Sequence, residues 1–198
     1  VAVGRRSARK STPEKPSMLK VPSILVGSAG GTIWMKVEGR GSFQNCGCVK
    51  EFFQRMISRG HRDYVMDLDQ CELMDSTFMG TLAAVAFSLR EKGCEMLRVV
   101  RANTRNRELL ESLGLDNLFR LESDPYKPAP HSLHTAASHG QPPVGQKVDI
   151  LSAHEALVEA DPRNAVRFQD VIEYLRHEIA ELEGNASPLP SRPPSGML

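Results

Sequence analysis

Two adjacent hydroxyls, Ser76 and Thr77, follow an acidic run and precede a long apolar stretch in the segment Tyr64–Gly80, YVMDLDQCELMDSTFMG. A hydroxyl at such a junction can cap a helix by accepting from its free N–H groups, or can accept a phosphoryl group. Either Asp75 or Ser76 can serve as the cap, and capping is compatible with modification because a capping hydroxyl stays near the surface. Nucleophilic catalysis would need a base beside Ser76. No histidine stands near it in sequence and no Gly-x-Ser-x-Gly elbow occurs, so a base would have to arrive from a distant segment through folding. Asp67, Asp69, Glu72 and Asp75 crowd the same run without a basic or nucleophilic companion at a diagnostic spacing.

Other chemistry-bearing residues are scattered. Cys46-x-Cys48 offers two thiols, and the nearest histidine in sequence is His61. Small apolar packing explains that pair better than zinc, so no metal and no cofactor is expected. His131, His134 and His139 lie in a proline-rich stretch suited to weak adventitious metal binding at most. Gly27, Gly30 and Gly31 fall between two expected strands, outside the strand-to-helix context of a phosphate-binding loop. With no catalytic constellation in view, the chain reads as a non-enzyme.

Composition sets the broad class. Of 198 residues, 25% are charged and 40% hydrophobic, and the net charge is +1, which fits a soluble globular protein with no direct nucleic-acid partner. Charge is uneven: residues 1–20 hold six bases against one acid, and residues 147–183 hold nine acids against four bases. No window is apolar enough to span a membrane, and the basic start lacks the apolar core of a signal peptide. Cys46, Cys48, Cys71 and Cys94 read as reduced thiols, hence a cytoplasmic location.

The elements that must position Ser76 follow from pattern. Ser23–Gly27 and Thr32–Glu38 flank Ala29-Gly30-Gly31 and predict a hairpin. Val49, Phe52, Phe53, Met56 and Ile57 form the apolar stripe of a helix closed by Gly60. Tyr64–Leu68 predicts a buried strand, followed by a tight acidic loop and a helix over 76–92 that is apolar around most of its circumference. Met96–Val100, a short helix capped by Asn103 or Thr104, and Leu118–Leu121 complete an α/β domain at about residues 21–123. Residues 1–20 and 185–198 are expected to be disordered tails, and 124–146 a proline-rich linker. The remainder, 147–184, predicts a helical extension: a short helix at Ala153–Ala160, an Asp161-Pro162 start signal, and a helix whose seam is Phe168, Val171, Leu175, Ile179 and Leu182. That seam is expected to dock on the α/β domain, or else to pair with a second copy as a homodimer or to bind another protein.

Val65-Met66-Asp67-Leu68, Leu73-Met74-Asp75-Ser76-Thr77, the helix TLAAVAFSLREKG and the run Asn103–Leu121 together resemble the STAS domains of bacterial anti-sigma factor antagonists. The resemblance covers about residues 21–123. It implies an α/β fold with a mixed four- to five-stranded sheet, to which this chain adds its helical extension. It further implies that Ser76, with Thr77 as second choice, is phosphorylated by a serine kinase that often doubles as the anti-sigma factor, and is reset by a serine phosphatase. Asp75, Ser76, Thr77, Phe78 and Met79 would then form the partner-binding surface. One departure stands out: Phe78 occupies the position where the family usually has glycine, which would alter the surface a kinase embraces.

The expected function is therefore that of an anti-sigma factor antagonist: a phosphorylation-switched, cytoplasmic protein-binding domain in transcription regulation that sequesters an anti-sigma factor or serine kinase. The alternative is a non-switching STAS scaffold in a multiprotein signalling complex.

Overall fold

A computed structural model describes residues 23–124, 130–136 and 143–184. Both expected tails and His139 lie outside the described residues. Strands β1 (Ser23–Ala29) and β2 (Thr32–Gly41) pair antiparallel around Gly30 and Gly31, both at positive φ, +57° and +84°. That backbone is what a two-residue hairpin loop requires, and glycine adopts it without steric cost. Helix α1 (Phe43–Ser58) then crosses to β3 (Tyr64–Met74), which lies parallel to β2. Val49, Phe53 and Met56 form its buried stripe, and the Asn45 side chain accepts from the Ser42 N–H at 2.9 Å to close its first turn.

The tight acidic loop expected after Leu68 is instead strand. β3 continues to Met74 because irregular pairing with Glu38–Gly41 of β2 absorbs the extra residues, with register shifts on either side of the Glu38–Gly39 pairs. Cys71 and Met74 turn inward, while Asp69 and Glu72 are exposed. The amides of Asn103 and Asn106 each donate to the Cys71 carbonyl at 2.9 Å and pin this end of the strand. Helix α2 (Ser76–Glu91), β4 (Arg98–Val100), α3 (Thr104–Ser112, capped by Asn103), a 3-10 turn at Leu115–Asn117 and β5 (Arg120–Glu122) follow.

The sheet order is β5-β4-β3-β2-β1-β6, with β2 to β5 parallel and both neighbours of β1 joined to it antiparallel. The sixth strand, β6 (His134–Thr135), comes from the stretch expected to be linker and pairs with Leu25 and Val26. Gly27 allows this approach, since a Cβ there would lie 2.8 Å from the Ser132 carbonyl oxygen. The fold is thus the expected mixed α/β one, with one strand more. The main core lies between the sheet and its helices, while Trp34, Val65 and Val100 are buried on the opposite face. There Asp67 pairs with Arg101, and Asp63 with Arg98 at 2.8 Å.

Two helices extend the domain, α4 (Pro143–Ala160) and α5 (Ala165–Gly184), joined by a 3-10 turn at Pro162–Asn164 with Asp161 as its cap. Helix α4 is more than twice as long as the short helix expected at Ala153–Ala160. It packs on α2 along one side and on α5 along another, so apolar residues occupy both sides and blur the single-stripe periodicity. The α5 seam also differs from expectation. Ile172 and Leu175 are buried and Phe168 and Ile179 half-buried, whereas Val171 and Leu182 are 41% and 39% exposed. The inward row is therefore 168, 172, 175 and 179, which holds one helical face where Val171 falls off it, and it meets α4 more than the sheet domain. Asn164 ties the turn down by donating to the carbonyls of Leu113 at 3.0 Å and Leu157 at 2.8 Å.

Candidate functional site

The junction between β3 and α2 brings Asp75 and Ser76 to the N-termini of two helices at once. Asp75 Oδ1 accepts from the Phe78 N–H at 2.8 Å, and its Oδ2 accepts from the Phe43 N–H, the first of α1, at 3.1 Å. One carboxylate thus satisfies orphan donors of both α1 and α2, and its charge lies at the favourable end of both helix dipoles. Capping, which the sequence assigned to Asp75 or Ser76, belongs to Asp75.

Freed of that duty, the Ser76 hydroxyl turns to α4. Its Oγ lies 3.0 Å from His154 Nε2, and His154 Nδ1 lies 2.8 Å from the Ile150 carbonyl oxygen. A carbonyl can only accept, so Nδ1 carries a proton and donates it, which leaves Nε2 facing the Ser76 hydroxyl. His154 is buried, with its ring 5.2 Å from that of Phe168 in α5. The distant histidine that folding had to supply is therefore present. Its second nitrogen is committed to a backbone carbonyl of its own helix rather than to a carboxylate.

The other expected partner-binding residues divide by depth. Phe78 is fully buried and fills the space left by Gly41, where a Cβ would lie 2.7 Å from its ring. The expectation that Phe78 reshapes a kinase-facing surface is thus corrected: the missing side chain of Gly41 accommodates the ring inside the core. Met79 is also turned inward, at 4% exposure. Thr77 is buried, and its carbonyl accepts from the Thr81 hydroxyl at 2.9 Å. Only Asp75 and Ser76 of the five are half-exposed.

Helix α4 approaches α2 most closely at Gly80, where any Cβ would overlap the Ala153 carbonyl. Lys50 of α1 bonds Asp149 of α4 at 2.8 Å beside a cavity of about 50 Å³ lined by Cys46, Thr81, Ser152 and Ala153, among others. Burial pushes the Cys46 thiol up to about 12 and raises those of Cys48 and Cys71. All three are neutral thiols at physiological pH, as the packing interpretation of Cys46-x-Cys48 requires. Among the described residues no group of three or more histidine, cysteine or acidic side chains is placed to hold a metal ion, and no helix is long and apolar enough to cross a membrane.

Sequence reasoning missed His154. Its only signal was its place among Ala153, Ala156 and Leu157, a small-residue row whose partner could not be named before α2 and α4 were seen together.

The family model described as Mlab, STAS domain matches residues 24–121, from β1 through β5. No curated protein matches the chain in sequence. Among solved structures, an anti-sigma factor antagonist from Mycobacterium paratuberculosis aligns at 21% identity over 52% of this chain and 87% of its own, with a TM-score of 0.47. The phosphorylated form of the Bacillus cell fate determinant SpoIIAA aligns at 12% identity over 52% and 92%, with a TM-score of 0.44. Helices α4 and α5 lie beyond the matched residues. Together with the six-stranded mixed sheet and the helix order, the family match identifies residues 24–121 as a STAS domain, which two further helices follow.

Proposed function

We propose that this protein is an anti-sigma factor antagonist-like binding module whose partner choice is set by phosphorylation of Ser76, with Thr77 as a deeper and poorer acceptor. The carrying observation is the division of labour at the junction: Asp75 caps both helices, so modification of Ser76 leaves both helix caps intact. In the reaction, Ser76 Oγ bonds to the terminal phosphorus of ATP as the bond to the bridging oxygen breaks. ADP leaves with that electron pair, and the hydroxyl proton passes to a base of the kinase. The product carries about −1.5 to −2 charge at a helix N-terminus, where such charge is favoured by roughly 0.3–1 kcal/mol. A partner shaped for the neutral hydroxyl meets bulk and desolvation cost instead, and about 2.7 kcal/mol lost would weaken its binding about a hundredfold. The partners are an anti-sigma factor or serine kinase and a serine phosphatase.

The test is the mass of the chain recovered from its own cells with phosphatases inhibited. A gain of one phosphoryl group, mapped to Ser76 and lost in Ser76→Ala, is expected. An unmodified Ser76 under every growth condition that engages the pathway would sink the phospho-acceptor role.

A second function is favoured by one observation: the Ser76 hydroxyl is already hydrogen-bonded to His154 beneath α4. A non-switching STAS scaffold, assembling a complex through other surfaces, needs no modification there. Equal retention of co-purifying partners by Ser76→Ala and Ser76→Asp would select the scaffold, and selective loss with Asp the switch.

A further inference from the structure

The segment outside the matched domain occupies the one face of α2 on which the proposed switch would be read. Gly80 admits the α4 backbone so closely that its notional Cβ overlaps the Ala153 carbonyl, and four residues earlier Ser76 bonds His154. Helix α4 therefore tracks the first turns of α2, with Lys50–Asp149 as a third anchor from α1 and Asn164 as a fourth at the far end. The contacts are of an exchangeable kind. Small residues meet backbone to backbone at Gly80, the specific bonds are polar, and a cavity of about 50 Å³ remains between α1, α2 and α4, while Ala156 and Leu157 are the α4 residues that join the main core. Such seams are less dependent on interlocked bulk than a domain core is.

We propose that the α4–α5 hairpin is a cis-acting cover of the Ser76 face, and that hairpin docking and phosphorylation of Ser76 exclude each other. This rests on the proposal that Ser76 is the phospho-acceptor. Steric fit carries the argument. The 3.0 Å line from Ser76 Oγ to His154 Nε2 holds one hydrogen atom and nothing larger. A phosphoryl group on Oγ cannot fit on that line, so the Ser76–His154 bond that holds α4 there must break. Helix α4 cannot yield by sliding closer elsewhere, because Gly80 and Ala153 are already in backbone contact. A kinase faces the converse obstacle, since the half-buried hydroxyl it must reach is bonded to His154 of α4. Undocking exposes Ser76 to modification, and modification prevents redocking. The face released is a helix-sized surface bordered by Lys50, suited to a partner helix that repeats the pattern of α4: small residues at the Gly80 crossing and an acid placed toward Lys50.

Two measurements test this without knowledge of the native kinase. In the first, phosphoserine is installed at position 76 of the full chain during translation, and amide hydrogen exchange is compared with the unmodified chain and with Ser76→Ala. Protection of α4 amides should fall at least tenfold with phosphoserine, while β3 and β4 remain protected. The Ala variant should keep α4 docked, because it removes a bond without adding bulk. Full protection of α4 in the phosphoserine chain overturns the exclusion. In the second, Ser76→Cys is made in a Cys94→Ser background, where the other three thiols are buried, and its reaction with an aromatic disulfide reagent is timed. Adding Gly80→Ala, which raises helix propensity in α2 while colliding with α4, should speed the reaction at least tenfold. Equal rates with and without Gly80→Ala overturn the cover. The two proposals fail separately: an unphosphorylated Ser76 in cells removes the switch and leaves the measured exclusion standing. A protected α4 above phosphoserine removes the exclusion and leaves Ser76 as an acceptor.

Discussion

Phe53, Tyr64, Met66, Phe78, Leu82 and Phe119 are each 2% exposed or less and interlock between the sheet and its helices. Across the seam between α2 and α4 the closest facing groups are Gly80 and Ala153, Ser76 and His154, with Lys50 and Asp149 at the flank and Ala156 and Leu157 reaching into the main core. The first region is held by bulk removed from water, at about 25 cal/mol per Å² of apolar area. The second adds to a smaller apolar contact, at Ala156 and Leu157, a close backbone approach and a few directional bonds, each worth roughly 0.5–1.5 kcal/mol net. Bulk without polar alternatives commits a region to one state. A seam of small residues and hydrogen bonds can be remade by another helix, or unmade by one added charge. The difference separates the part of the molecule that must persist from the part that can change.

The largest expected effect falls on the persistent part. Phe78→Ala opens a cavity against Gly41, where nothing can collapse to fill it, and should cost about 3–5 kcal/mol in chemical denaturation. A cost below about 1 kcal/mol would place Phe78 at a surface and dissolve the contrast. Leu175→Ala, on the inward row of α5, should cost roughly 2–3 kcal/mol. Its loss should be local: hydrogen exchange in α5 and α4 should rise while β3 stays protected. Uniform weakening of the whole chain would show that hairpin and domain unfold as one unit.

Alkaline pH sharpens the same comparison from the core side. Burial raises Cys46 from 9.0 to about 12 and Tyr64 from 10.0 to about 12. Between those values the unfolded chain has released a proton that the folded chain retains, so stability falls as pH rises. The contribution is complete below pH 9 and is lost on the way to about 12. The slope is about 1.4 kcal/mol per pH unit for a buried group such as Cys46 fully within its window. Urea unfolding from pH 8 to 11 should show it, and Cys46→Ala should lower the slope below pH 10, where Cys48 and Cys71, also raised by burial, supply the rest. An unchanged slope in Cys46→Ala would mean the thiol is solvated.

How much was legible in the sequence follows the same division. The core elements announced themselves through β-branched runs, the α1 stripe and the glycine turns, because bulk burial leaves a periodic trace. The acidic run after Leu68 looked like a loop, yet Cys71 and Met74 are buried at 2% and 3% and Asn103 and Asn106 hold the strand from a segment about thirty residues away. No local pattern reveals such a brace. Position β6 was hidden for a related reason: its backbone fit depends on the absence of a side chain at Gly27. Ser76 was found from its place at the helix mouth, while His154 was not, since a small-residue helix carries no signature of what it will touch. Phe78 looked like a surface departure only because Gly41, its complement, lies 37 positions earlier.

The smallest expected effect concerns the outer side of the hairpin. Val171 and Leu182 belong to the apolar spacing that the sequence offers as a seam, yet they are 41% and 39% exposed, and Tyr174 between them is 61% exposed. The inward row is already filled by Phe168, Ile172, Leu175 and Ile179, so removing the outer methyl groups uncovers no cavity. Val171→Ser and Leu182→Ser, singly, should shift the unfolding free energy by no more than about 0.5 kcal/mol, the usual range for surface positions. The measurement that gives this weight is a parallel pair, Val171→Ser against Ile172→Ser, which differ by one residue along α5. The second should cost several times the first and loosen α4 exchange, because Ile172 is 8% exposed. Equal costs would mean that α5 is rotated relative to this arrangement, so that Val171 reaches α4 after all. In solution, Val171→Ser should also leave the mass by light scattering unchanged. A shift from dimer to monomer would instead show that the outer residues are covered by a second copy, and the hairpin would then join molecules as well as cover Ser76.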